Sequence, residues 1–128
     1  MRYLLDTHTF IWWDSKKVKL SQKVLKICQN LENTLILSVA SVWEMQIKSQ
    51  LGKLTLKVPL STIIENQVDS NNLQVLPIQL PHILALENLP PHHRNPFDRL
   101  LIAQANVENA AILSRDPLLS QYHVKVVW

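Results

Sequence analysis

Glycine is almost missing from this chain of 128 residues, with Gly52 the only one. Phosphate-cradling loops of the P-loop and dinucleotide-fingerprint kinds need several glycines where backbone approaches phosphate, so both are excluded. Cysteine is equally scarce. Cys28 alone cannot form an intramolecular disulfide, which points to a reducing compartment, and zinc sites built on Cys pairs are ruled out. It falls in a predicted helix with no base beside it and is read as a packed thiol. No apolar run approaches the roughly 20 residues that span a bilayer. The start Met-Arg-Tyr-Leu-Leu-Asp is interrupted by charge too early for a signal peptide. The expected location is the cytoplasm, with no membrane partner.

What is present suits a packed core. A hydrophobic fraction of 47% over 128 residues predicts one domain, residues 1–128. Such a chain buries about two thirds of the surface it exposes when unfolded. A net charge of +3 permits a polyanionic partner without requiring one.

Read in order, residues 2–5 form a short apolar run ending at Asp6, as a central parallel strand does. A helical turn or two over Thr7–Trp13 and a lysine-rich loop follow. Ser21 caps a helix whose Val24, Ile27, Cys28 and Leu31 lie on one face. Thr34–Leu37 reads as a second strand and Ser38–Leu51 as a helix closed by Gly52. After the link Lys53–Pro59 come a helix over Leu60–Ser70, a strand over Leu73–Ile78 and a helix over Pro81–Leu89. Pro90-Pro91 opens the loop His92–Asn95. Asn95-Pro96 then starts a long apolar helix, with Asn as N-cap and Pro at the first position. Ala111–Ser114 is a buried strand, Asp116-Pro117 begins the next turn, and Val124–Trp128 is an edge strand. Strands alternating with helices predict a three-layer α/β/α sandwich around a mainly parallel sheet.

Four acids occupy strand exits or helix starts: Asp6, Glu44, Asp98 and Asp116. Singly, each has a structural explanation. Asp6 and Asp116 fit N-caps, Glu44 stands at capping-box spacing from Ser41, and Asp98 bears a similar relation to Asn95. Together they mean more. The C-terminal ends of parallel strands share one edge, where open α/β sheets place their ligands. Carboxylates gathered there repel by several kcal/mol at an effective dielectric near 20, and so either raise a pKa or hold a cation. A set of oxygen donors without Cys or His suits Mg²⁺ or Mn²⁺. Two such ions about 4 Å apart activate water and stabilise the leaving oxygen in phosphodiester hydrolysis.

Four segments then carry a resemblance over the whole chain: Leu4–Trp13, Ser38–Lys48, His93–Ala105 and Ile112–Asp116. In this order and spacing the chain resembles the PIN-domain ribonucleases, and most closely the VapC-type toxins of bacterial type II toxin–antitoxin pairs. The resemblance implies a metal-dependent endoribonuclease with Asp6, Glu44, Asp98 and Asp116 as catalytic metal ligands. Thr7 and Ser114 match the small hydroxyl residues that family members carry beside the first and last acids. Asn95 stands where close relatives more usually have Asp. The implied partners are RNA, a small DNA-binding antitoxin protein and a second copy of the chain. A catalytically silent PIN fold that only binds nucleic acid or protein, and a structure-specific DNA nuclease, are the alternatives. Intact acids argue against the first, and the lack of an added binding domain against the second.

Arg94, Arg99, Arg115 and Lys48 are the basic residues placed to hold RNA phosphates. His92 and His93 are read as loop histidines without a catalytic role. Trp12, Trp13 and Trp43 are assigned to core or subunit packing. A haloacid-dehalogenase phosphatase needs an acid where this chain has His8, and a receiver domain needs an acidic pair at the first strand, so both are rejected.

Overall fold

Odd and even strand residues go to opposite sides of the sheet in the computed structural model, which describes residues 1–128. The strands are β1 (Arg2–Leu5), β2 (Thr34–Ser38), β3 (Gln74–Leu76), β4 (Ala111–Leu113) and β5 (Val126–Val127). They pair in the order β3-β2-β1-β4-β5, every pair parallel. Leu4 stands in register with Ile36 on one side and Ile112 on the other. With Leu101, Ile102 and Ala105 these three build one core. Tyr3, Leu5, Leu35, Leu37, Ala111 and Leu113 point the other way and pack with Phe10, Trp13, Val24, Met45 and Ile63. Covered faces on both sides make the strands continuously apolar, and truncating a fully buried Leu or Ile here costs about 2–5 kcal/mol.

The helices are α1 (Thr7–Ser15), α2 (Gln22–Gln29), α3 (Val39–Gln50), α4 (Leu60–Asn71), α5 (Leu80–Ala85) and α6 (Pro96–Glu108). The first core gathers residues of α1, α2, α3 and α4; the second takes those of α6. The three-layer parallel sandwich expected from the sequence is therefore the fold. Helix α3 ends in a Schellman turn: Gly52, at φ +73°, donates its N–H to the Ser49 carbonyl, and Lys53 to that of Lys48. Asn72 and Asn109, both at φ 54°, take the same left-handed conformation after α4 and α6. Asparagine thus does the work of the glycines this chain lacks.

Several boundaries differ from expectation. Strand β3 stops at Leu76 rather than Ile78, because Pro77 has no N–H for the ladder. The helix expected over Pro81–Leu89 is α-helical only over Leu80–Ala85 and tightens into a 3-10 turn, Leu86–Asn88, ahead of Pro90-Pro91. The last strand narrows to Val126–Val127, and Asp116-Pro117 opens a 3-10 turn, Pro117–Gln121. No helix is long and apolar enough to cross a membrane.

Candidate active site

Because every strand is parallel, β1 and β4 finish side by side, and the Asp6 N–H donates to the Leu113 carbonyl at 3.2 Å. Asp6 follows β1, and Asp116 lies just beyond β4. Glu44 comes in on the second turn of α3, and Asp98 on the first turn of α6. Three of them act on the fourth, Asp98. Burial pushes the Asp98 carboxyl up to about 6; His93 pulls against this, while the charges of Glu44, Asp6 and Asp116 add to the rise.

Two of the acids divide their oxygens between a cap and the cluster. One Asp6 oxygen accepts from the Thr9 N–H at 2.8 Å and caps α1; the other accepts from the Ser114 hydroxyl at 2.5 Å. One Asp116 oxygen accepts from the Leu118 N–H, and the other meets His93 Nε2 at 2.9 Å. Ser114 Oγ also accepts from the Asp116 N–H, so this hydroxyl links the first acid to the last.

Glu44 and Asp98 have no capping duty. Helix α3 is capped by Ser38, whose Oγ accepts from the Ala40 N–H, so the capping box read between Ser41 and Glu44 does not form. Instead Glu44 Oε2 lies 3.5 Å from both Lys48 Nζ and Asn95 Nδ2. Asn95 caps α6 by accepting from the Phe97 N–H, but its own N–H donates to His93 Nδ1 rather than to Asp98. Asp98 is therefore the acid with no aligned donor. His93 Nε2 approaches it at 3.2 Å but makes its hydrogen bond to Asp116.

His93 is the residue that sequence reasoning missed. Its Nδ1 accepts the Asn95 N–H, which puts its hydrogen on Nε2, the atom that faces Asp98 and Asp116. One ligand atom each from His93, Asp98 and Asp116 lie within 4.8 Å of one another, a spacing that can hold a cation. The structure thus brings an imidazole into the acid cluster, with its Nε2 hydrogen facing the carboxylates. A loop histidine has no periodicity to betray it; its place two residues before a helix cap was the one available signal. Two buried hydroxyls, Thr7 Oγ1 and Ser41 Oγ, have no partner, and they belong to the residue after Asp6 and the residue one turn before Glu44. Together with the destabilised Asp98 anion, these groups fit a bound divalent cation and its waters.

A second polar cluster fixes the two helices that carry Glu44 and Asp98. The Ser38 hydroxyl donates to Gln104 Oε1, and Gln104 Nε2 reaches the Pro77 carbonyl and His82 Nδ1, both at 3.2 Å. His82 is fully buried; its Nε2 bonds Glu108 at 2.9 Å, and Glu108 binds Arg2. Glu44 is six residues beyond Ser38, and Asp98 six before Gln104. Helices α3 and α6 therefore run antiparallel, with the Ser38–Gln104 bond about 9 Å along from the two acids.

Among the basic residues, Arg94 and Arg115 are exposed. Arg99 turns inward and donates to the Pro90 carbonyl at 2.9 Å and the Tyr122 hydroxyl at 3.3 Å, while Lys48 is paired with Glu44. Trp13 is buried, and Trp12 packs edge-on against Trp128. Trp43 departs from the packing expected of it: it is 58% exposed, with Phe97 edge-on at 5.2 Å. Burial pushes the Cys28 thiol up to about 11, as suits a packed and unreactive cysteine.

Fold and site define a doubly covered parallel α/β domain with an acid-lined edge at its strand ends. The PIN domain family model matches residues 3–125, and the chain belongs to the PIN-domain family, a family of nucleases. Among solved structures, VapBC2 from Rickettsia felis bound to a DNA fragment from its promoter aligns with a TM-score of 0.74 and 17% identity, covering 99% of this chain and 98% of that one. DNA-bound VapBC from Salmonella typhimurium aligns with a TM-score of 0.71 and 13% identity, covering 99% and 97%. FitAcB from Neisseria gonorrhoeae gives 0.66 and 17%, covering 98% and 96%. At these identities the likeness is one of fold. No curated protein sequence matches the chain.

Proposed function

We propose that this PIN domain is a divalent-metal-dependent endoribonuclease and the toxin of a type II toxin–antitoxin pair. The observation that carries the reading is the gathering of Asp6, Glu44, Asp98 and Asp116 from four separate segments onto one edge, where Asp98 is held near pKa 6 partly by the other three. Structural need does not explain such a cluster, since caps account for Asp6 and Asp116 but not for Glu44 or Asp98.

Asp6, Glu44, Asp98 and Asp116 would hold the metal, with His93, whose Nε2 carries hydrogen, withdrawing from between Asp98 and Asp116. Carboxylates favour Mg²⁺ and Mn²⁺. A divalent ion supplies Lewis acidity toward the phosphate and lowers the pKa of water. The chain's own part is to fix the donors. Ser114 holds Asp6 against the Asp116 backbone, and the antiparallel pair α3/α6 sets Glu44 across from Asp98. Arg94 and Arg115 stand exposed beside this edge to meet phosphates, while Lys48 reaches it through Glu44.

The solved relatives named as VapBC and FitAcB support an antitoxin partner. A groove of about 520 Å³ lined by Phe10, Met45, Leu54, Leu56, Leu60 and Ile63 and rimmed by Lys16, Lys53 and Lys57 suits an apolar segment with acidic flanks. A homodimer in the cytoplasm completes the reading.

The test is to incubate partner-free protein with structured RNA in Mn²⁺, in Mg²⁺ and in EDTA. Cleavage in the two metals and none in EDTA is expected. Cleavage that persists in EDTA removes the metal mechanism, and cleavage of DNA in place of RNA turns the reading to a DNA nuclease.

A further inference from the structure

We propose that Trp43 and Phe97 form a stacking platform for an unpaired base of the RNA next to the scissile phosphate; this rests on the nuclease reading and names the form of its substrate as single-stranded. Trp43 is 58% exposed, although tryptophan is among the costliest side chains to leave in water. The Phe97 ring stands edge-on to it at 5.2 Å and 81°, which buttresses the indole and leaves a face of it free. Each ring directly precedes an acid of the site, Glu44 and Asp98. On a helix, successive residues lie about 100° apart, so a residue beside an inward-facing acid stands at the rim of the site. A strand whose phosphate reaches Glu44 and Asp98 has this pair within reach of a neighbouring base.

The surroundings favour a base over a protein side chain. Along the outer face of α3 the apolar side chains Val39, Trp43, Ile47 and Leu51 recur every fourth residue, interleaved with exposed Gln46 and Gln50, while beside Phe97 stand the polar Asn95 and exposed Arg94. A helix-in-groove partner would run along that row, whereas Trp43 and Phe97 are set apart from the rest of it by standing directly beside two acids of the site and an exposed arginine. A base needs one π-face with a cation nearby for its phosphate, and both are present. Stacking tolerates any base but needs that base unpaired, so the platform selects single strands, loops and bulges over duplex.

The full chain, kept in EDTA to prevent cleavage, is titrated with a mixed-sequence single-stranded RNA and with an abasic strand of equal length and charge, followed by tryptophan fluorescence. RNA should quench the emission and the abasic strand should not, a comparison that needs no variant. W43F should abolish the quench and keep the affinity. W43A should weaken RNA binding about 5- to 150-fold, the range set by one lost base stack, and leave abasic binding unchanged. Melting temperatures check that each variant folds. Equal RNA affinity in W43A and wild type, or equal quenching by both strands, overturns the platform. Loss of self-association in W43A by light scattering, with RNA binding intact, instead assigns the patch to a protein interface. A parallel arm with Mn²⁺ separates the two levels: cleavage by wild type with W43A unaffected defeats the platform alone, whereas neither binding nor cleavage by wild type defeats the nuclease reading with it.

Discussion

The helix pair α3/α6 carries a polar cluster at each end, and the two are built on opposite principles. At one end Ser38, Gln104, His82 and Glu108 are joined donor to acceptor, and His82 is fully buried with both ring nitrogens engaged. At the other end Glu44, Asp6 and Asp116 surround Asp98, whose proton affinity burial and their like charges raise. The first arrangement minimises free energy within the chain. The second gathers four carboxylates with only Lys48 and His93 set against them. Complementary polar groups mark structure, and uncompensated ones mark a place for a ligand.

The largest expected contrast comes from Asp98→Asn. Cleavage should fall at least about 100-fold, since one metal donor is lost. Stability should move the other way. A carboxyl whose folded pKa is raised, from 3.8 to about 6, binds more protons folded than unfolded between those values. Its contribution to stability is full below about 3.8 and is lost as pH rises through about 6. Above pH 6 the metal-free variant should therefore exceed wild type by up to about 3 kcal/mol, and the gap should close toward pH 4. Urea unfolding in EDTA at the two pH values measures this. A folded variant that cleaves at the wild-type rate would remove Asp98 from the site.

Gln104→Leu probes the other end and should reverse the pattern. Ser38 and the Pro77 carbonyl lose a partner, at a cost of about 1–3 kcal/mol. The cleavage rate of the folded protein should change far less than in Asp98→Asn. If instead activity collapses while the urea midpoint holds, the two clusters do not divide stability from chemistry as argued.

Much of this was legible from the residues alone. Apolar runs bounded by caps predicted a parallel sheet, and the parallel sheet predicted that the acids would converge. What escaped depended on contacts distant in sequence. Glu44 stood at capping-box spacing from Ser41, but the cap went to Ser38, because β2 continues through that residue before α3 begins. Trp43 lay among apolar residues of a helix whose inner face is already filled by Ala40, Ser41, Glu44 and Met45, so it had nowhere inside to go. His93 could not be placed before the loop after Pro90-Pro91 was known to fold back onto β4's exit.

His93→Ala should have a smaller effect. The hydrogen bond to Asp116 and the acceptor for the Asn95 N–H both disappear, for a loss of about 1 kcal/mol in EDTA. Since His93 holds the Asp98 carboxyl down, its removal should carry that titration above about 6, as followed by carboxyl NMR shifts. A titration that stays in place would show that His93 serves Asp116 alone.

The finest adjustment is Asn95→Asp. Asp caps a helix as well as Asn does, so the bond from the Phe97 N–H survives. The added charge at the start of α6 gains about 0.3–1 kcal/mol from the helix dipole. Against this, the Nδ2 donation to Glu44 is lost, a weak bond at 3.5 Å, and a fifth carboxylate joins the cluster at a cost of about 1 kcal/mol or more. The terms nearly cancel without metal, so the melting temperature in EDTA should barely move. They do not cancel when a cation is present, because the new charge attracts it. The Mg²⁺ concentration for half-maximal cleavage should fall severalfold, with the maximal rate little changed. A lowered melting temperature with an unchanged Mg²⁺ midpoint would mean that the Asn95 amide matters as the donor that holds Glu44, and that the cluster's charge is already sufficient.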